Sequence, residues 1–197
     1  KRQVDLCGHA TLASAFTYFN FLNKGENEIV FQANRSEIKA VRADNGITLS
    51  LPKDEPKKIG ELSTFSQALN SEALEVYKGI DDFMVVLEDE AAIANNNPNF
   101  SLVKSMDSRG LIITAKGEEV DFVSRWYGPQ TGINEDPATG SAHALLATYW
   151  SKILNKSELS ARQLSKRVGH LKCEVKDDIV EITGEAKLYL RGTLQFD

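Results

Sequence analysis

Two titrating side chains, His9 and Asp136, each stand just ahead of an apolar run. A carboxylate or an imidazole can take a proton from a substrate and return it, which is worth roughly 10²–10⁴-fold in rate when the group is well placed. Asp136 lies in Glu135-Asp136-Pro137-Ala138-Thr139-Gly140-Ser141-Ala142-His143, and His9 lies in Cys7-Gly8-His9-Ala10-Thr11-Leu12. In both stretches small and polar residues around a glycine lead into a segment that is apolar on nearly all sides. A helix starting at such a point offers unpaired N–H groups and the positive end of its dipole, which suit a carboxylate. Gly8, Gly140 and Thr139 are therefore candidates for binding an anionic substrate, and Ser141 for hydrogen-bonding it. Each residue also has a plainer reading. Asp136 can serve only to turn the chain before Pro137, His9 can be a satisfied core histidine, and Ser141 or Thr139 can simply cap the helix.

The elements that must position these groups follow from the pattern. Buried helices are expected at about Thr11–Leu22 and Ala142–Leu154. Strands are expected after the first helix at Glu28 to Ala33, Glu37 to Ala43 and Ile47 to Leu51, with Asp44-Asn45-Gly46 as a hairpin turn. Pro52 to Pro56 reads as a linker and Leu62 to Leu69 as a short helix. Ala73 to Tyr77, Asp82 to Leu87, Leu111 to Ala115 and Val120 to Tyr127 read as strands, with a helix at Asp89 to Ala94 and a loop at Asn95 to Asn99. After the second buried helix come a short helix at Ser160 to Arg167 and strands at Leu171 to Val175, Ile179 to Thr183 and Lys187 to Phe196. Gln3 to Leu6 reads as strand, so the sequence enters a fold at once.

A helix followed by three tightly turned strands thus occurs twice. That repetition predicts an α+β fold of two pseudo-symmetric lobes, each a curled, mainly antiparallel sheet around a central helix. Residues 1–58 would form what is present of the first lobe and residues 59–197 the second, with the last strand free to return to the first. The second lobe has a strand–helix–strand–strand run before its central helix and the first lobe does not. The expectation is that an equivalent segment precedes Lys1.

Composition narrows the function. The 197 residues carry a formal charge of -5 and 42% hydrophobic residues, enough to bury a core. With no basic run, nucleic acid and anionic membranes are poor partners, and no apolar run approaches a membrane span. Cys7 and Cys173 form neither a disulfide pattern nor a metal spacing, so no metal is expected. Such a chain suits the cytoplasm.

The sequence resembles the PhzF-like isomerases of phenazine biosynthesis, which share the diaminopimelate epimerase fold. The resemblance rests on Val4-Asp5-Leu6-Cys7-Gly8-His9-Ala10-Thr11-Leu12-Ala13 and on Gly132-Ile133-Asn134-Glu135-Asp136-Pro137-Ala138-Thr139-Gly140-Ser141-Ala142. A third stretch, Gln163-x-Ser165-x-Arg167, departs from the family by having Arg167-Val168-Gly169 where Arg-Gly-Gly is usual. The resemblance implies that His9, Asp136 and Ser141 are the catalytic residues, that no metal or organic cofactor takes part, and that the protein is a homodimer. It implies acid/base isomerisation of a small carboxylate-bearing metabolite. It also implies a principal proton-carrying glutamate, which no residue here matches and which would sit upstream of Lys1, leaving residues 1–197 inactive alone. Diaminopimelate epimerases use a thiol from each lobe; Cys7 resembles the first, but the second position holds Thr139, so two-thiol racemisation is rejected. Two other functions fit the same two-lobed cleft: a binding module that retains a small acid without turnover, and a different proton-transfer enzyme. Glu135, His143 and His170 read as structural, and Trp126, Tyr127 and Trp150 as core or pocket wall.

Overall fold

A computed structural model describes residues 7–193 and Gln195. Helix α1 spans Gly8–Thr17 and runs on as a π-helical turn over Tyr18–Leu22. Three strands follow, β1 (Glu28–Gln32), β2 (Glu37–Ala43) and β3 (Gly46–Pro52), then β4 (Lys57–Ile59), α2 (Ser63–Leu69), β5 (Glu75–Lys78) and β6 (Asp82–Val86). Two short helices, α3 (Glu90–Ala94) and α4 (Phe100–Lys104), lead to β7 (Gly110–Lys116) and β8 (Phe122–Gly128). A 3-10 turn over Pro129–Thr131 and β9 (Ile133–Asp136) precede α5 (Gly140–Leu154), and β10 (Glu158–Gln163), β11 (Gly169–Val175) and β12 (Ile179–Gly184) close the described order.

The strands form one mixed sheet in the order β1-β2-β3-β12-β11-β10-β8-β7-β6-β5-β4, with β9 paired to β8. All pairings are antiparallel except β6 with β7 and β8 with β10. The register follows the side chains. Leu49 and Leu51 of β3 stand opposite Ile182 and Val180 of β12, and all four are buried on one face while Thr48 and Ser50 face the other way. The Asp44-Asn45 hairpin joins β2 to β3 as its sequence demands, and Gly46 has φ +130°, where a Cβ would also run into the Gly184 carbonyl.

The sheet is buried on both faces at its centre: every residue of β7 from Gly110 to Ala115 is buried, and so is all of β8 except Arg125. Ile112, Phe122 and Trp126 face α5; Leu111, Ile113, Val123 and Tyr127 face α2, α3 and α4. Every residue of α5 from Ala142 to Trp150 is buried, as expected of a central helix. Trp150 stacks parallel to Phe122 and donates its Nε1–H to Thr114 Oγ1 at 2.9 Å.

Helix α1 departs from its expected burial. Only Gly8 and Ala15, with Phe19 just beyond, are buried, and Leu22 is 74% exposed. It packs by one side onto β2 and β3, where Arg42 lies over the Phe19 ring and donates to the Phe19 carbonyl; among the described residues no element covers the other side. Of the expected helix at 160–167, residues 160–163 belong to strand β10 and 164–167 form no helix. Leu159, Ala161 and Gln163 alternate inward with Ser160 and Arg162 outward, and parallel pairing with β8 overrides the local helix preference. Residues 187–193 of the expected last strand carry no strand, and the rest of that expectation falls partly, and the expected strand at residues 3–6 wholly, outside the described residues. Asn95 to Asn99 ends in an unanticipated helix: Asn99 caps α4 by accepting from the N–H groups of Ser101 and Leu102.

Candidate functional site

The two helices named by the sequence start at the same place. A Cβ added to Gly8 would lie 3.1 Å from the Gly140 Cα, and one added to Gly140 would lie 3.4 Å from the Gly8 Cα. Glycine at residue 8 is what lets the two backbones come this close, whereas a Cβ at residue 140 would sit at the edge of ordinary contact. Neither helix has a side-chain cap at its start: Cys7 and Thr139 occupy the N-cap positions without bonding the first turn. The expected cap from Ser141 or Thr139 is therefore not made, because both hydroxyls are engaged elsewhere.

Beside this contact opens a cavity of roughly 400 Å³, bounded by Gly8, His9, Leu12, Ala138, Gly140, Leu171, Ile182 and Glu185 among others. Leu49 and Leu51 form its floor. Its walls are mostly apolar, and its polar groups lie at the helix starts and the rim. His9 is exposed there, with the Cys7 Sγ 3.7 Å from its Nε2. His170, expected to be structural, also borders the cavity and is exposed. No periodicity or motif pointed to it. Cys7 is half-buried, whereas Cys173 is sealed in the core, and burial pushes its thiol up to about 12.

Asp136 is set back from this opening. It ends β9, is 8% exposed, and its Oδ2 accepts the Thr139 hydroxyl at 2.6 Å. The Asp136 carbonyl accepts from Gln163 Nε2 at 2.6 Å and from the Ser165 hydroxyl at 3.0 Å, while the Thr139 N–H donates to Gln163 Oε1 at 2.8 Å. Thr139, expected at the substrate, thus turns its hydroxyl to Asp136. The Thr139 carbonyl accepts from His143 Nδ1 at 2.9 Å. A carbonyl can only accept, so Nδ1 carries the proton and Nε2 is bare; that atom is buried without a partner. Burial holds the His143 imidazole down to about 4, so it is neutral near pH 7.

Ser141 faces a third direction. Its Oγ accepts from Arg109 Nη1 at 2.9 Å, and Arg109 is paired through Nε and Nη2 with the buried Asp82. Glu135, expected to be structural, forms a two-pronged pair with Arg125, which also donates to the carbonyls of Ile93, Ala94 and Asn96. Trp126, Tyr127 and Trp150 are all core. Gly8, His9 and Gly140 thus share one cavity, Asp136 and Thr139 form a buried pair directly before it, and Ser141 is engaged by Arg109. Among the described residues no group of three His, Cys, Asp or Glu side chains is arranged to hold a metal ion, and no helix is long and apolar enough to cross a membrane.

Comparison with known proteins gives a consistent picture. The family model for phenazine biosynthesis-like protein (PhzC-PhzF) matches residues 1–192. A relative named as an uncharacterized isomerase of Pseudomonas aeruginosa is 41% identical over 192 residues, covering 98% of this chain and 74% of the relative. A crystal structure of a PhzF-family phenazine biosynthesis protein from Enterococcus faecalis superposes with a TM-score of 0.93 at 43% identity, covering 99% of this chain and 75% of that one. A hydroxyproline epimerase of Agrobacterium vitis, crystallised with trans-4-hydroxy-L-proline, shares the fold at a TM-score of 0.59 and 12% identity, covering 94% of this chain and 65% of that one.

Proposed function

Because the chain belongs to the phenazine biosynthesis-like (PhzC-PhzF) protein family, for which relatives are named as isomerases, we propose that it supplies the site of an isomerase that moves a proton on a small carboxylate-bearing metabolite without a cofactor. The observation that carries the reading is the meeting of two helix starts at Gly8 and Gly140, on the rim of a ligand-sized cavity, with His9 beside it and Asp136 fixed just before it. Two uncapped helix starts present N–H groups and two positive dipole ends to one point, the arrangement that favours a carboxylate and any negative charge that develops on it. The apolar walls keep water from competing for those donors.

The proposed roles follow. His9 and Asp136 are the titrating pair that shuttles or polarises the moving proton. Thr139 occupies one oxygen of Asp136 and leaves the other, Oδ1, to act. Ser141, which the resemblance makes a catalytic residue, ties the first turn of α5 to the Arg109–Asp82 pair and so fixes the helix start that receives the carboxylate. The family's proton-carrying glutamate has no match in residues 1–197, so these residues alone orient and polarise but do not turn over substrate. Cys7 is not the base, since the facing position is Thr139. Two lobes divided near residue 58, a cytoplasmic location and a homodimer belong to the same proposal. A binding module without turnover is the alternative.

The experiment is an NMR screen of small carboxylates in D2O with a full-length protein carrying this sequence. Deuterium uptake at one carbon, abolished by Asp136→Asn and by His9→Ala with folding intact, supports the isomerase. A carboxylate that binds at the cavity but never exchanges a proton supports the binding module instead.

A further inference from the structure

The third stretch of the family resemblance, Gln163-x-Ser165, has no role in the chemistry above, and the structure assigns it one: we propose that Gln163, assisted by Ser165, is the positioning residue that holds the Asp136–Thr139 turn and with it the Asp136 carboxylate. This rests on Asp136 acting in the reaction; the clamp itself is independent of that.

The turn has an unusual need. Between the end of β9 at Asp136 and the start of α5 at Gly140 the chain must leave a strand, pass Pro137, which has no N–H, and enter a helix whose start is uncapped. The Asp136 carbonyl and the Thr139 N–H are buried with no backbone partner within the turn, and leaving such groups unpaired is costly. Gln163, at the end of β10 and 0% exposed, supplies what is missing. Its amide has one face that donates and one that accepts, so Nε2–H serves the Asp136 carbonyl at 2.6 Å while Oε1 takes the Thr139 N–H at 2.8 Å. Its second Nε2 proton is shared between Ser165 Oγ, 3.4 Å away, and Thr139 Oγ1, 3.3 Å away, the hydroxyl that donates to Asp136 Oδ2. Gln163 therefore touches both ends of the turn and also fixes the direction of the hydroxyl that holds the carboxylate. Ser165, 4% exposed, fills the second lone pair of the Asp136 carbonyl at 3.0 Å. Only a side-chain amide, or a protonated carboxyl, carries a donor and an acceptor side by side at this reach.

That last property makes the test. Gln163→Glu keeps size and shape; ionised, it can still accept from Thr139 N–H but faces the Asp136 carbonyl with a negative charge, and protonated, it can make both bonds. Gln163→Met fills the same space and makes neither. Ser165→Ala is a milder variant that leaves Gln163 in place. Amide hydrogen exchange at Thr139, read by NMR against amides of the distant β2–β3 hairpin, reports the clamp without any substrate. Exchange at Thr139 is expected to rise roughly tenfold in Gln163→Met and in Gln163→Glu at pH 7, and less in Ser165→Ala, which loses a different bond. In Gln163→Glu, protection corrected for intrinsic exchange should return on acidification, whereas Gln163→Met should show no return. A packing-only role predicts unchanged protection in Gln163→Met and no recovery in Gln163→Glu; either result overturns the proposal. In the full-length enzyme, on a substrate found by the carboxylate screen, Gln163→Glu at pH 7 should lower kcat at least tenfold with KM within about twofold. Loss of protection at Thr139 with unchanged kcat would leave the clamp standing and remove Asp136 from the reaction.

Discussion

Replacing Gly8 with alanine tests the contact between the helix starts most simply. A Cβ at residue 8 lies 3.1 Å from the Gly140 Cα and 3.6 Å from its C and N atoms. Carbon atoms prefer a separation of roughly 3.5–4.0 Å, so the new methyl overlaps a backbone that cannot rotate aside, and one helix must shift by a few tenths of an ångström. Overpacking of this kind costs about 1–3 kcal/mol. Alanine is favoured over glycine in a helix by up to ~1 kcal/mol, less at a first turn, so the net expectation is a loss of about 1 kcal/mol. The reverse substitution provides the control. At residue 140 the nearest atom to a new Cβ is 3.4 Å away, the edge of ordinary contact, so Gly140→Ala should lie between neutral and about 0.5 kcal/mol stabilising. Urea unfolding followed by circular dichroism measures both. With a slope of about 2 kcal/mol per molar, Gly8→Ala should lower the midpoint by roughly half a molar. Both methyl groups enter one gap, so the double variant should lose more than the two single effects combined. A Gly8→Ala protein as stable as Gly140→Ala would refute the close approach.

Other substitutions probe the supports of the site. His143 is held neutral at about 4, below its unfolded value of about 6.5, so the unfolded chain binds the extra proton and stability falls as pH drops from about 6.5 to 4. The loss should reach about 3 kcal/mol, and in His143→Asn that part of the pH dependence of the urea midpoint should vanish; an unchanged profile would mean the imidazole is not buried neutral. Arg125→Met leaves Glu135 and three carbonyls without their partner and should cost about 3 kcal/mol. Lys152→Met breaks only an exposed pair with Glu55 and should change stability by less than about 0.5 kcal/mol; equal effects in urea would show that burial does not decide. Iodoacetamide at pH 8 should label half-buried Cys7 in the folded protein and Cys173 only after unfolding, with mass spectrometry assigning the sites.

The legible parts were those whose side chains repeat a physical pattern. The apolar face around α5 announced a central helix, and Asp44-Asn45-Gly46 announced its hairpin, because each signal is local. The two similar helix starts at Gly8 and Gly140 were visible in the sequence, but that their backbones touch is known only from the structure. Three features were not legible. The run 158–163 has residues that a helix accepts, and only its neighbour β8 makes it a strand. The exposed side of α1 looks no different in sequence from a buried one, since alanines and a serine suit either setting. The remaining partners of Thr139 and Ser141 depend on Gln163 and Arg109 arriving from β10 and from the loop before β7, and no spacing encodes that.

The central proposal is that residues 1–197 hold and polarise a small carboxylate but do not move its proton on their own. The direct measurement is solvent-deuterium incorporation by a full-length protein carrying this sequence and by residues 1–197 alone, each given the same carboxylate at matched concentration and checked for folding. Incorporation by the full-length protein, lost in Asp136→Asn and absent from residues 1–197, is the expected result. Equal incorporation by residues 1–197 would contradict it and leave His9 or Asp136 as the sufficient base.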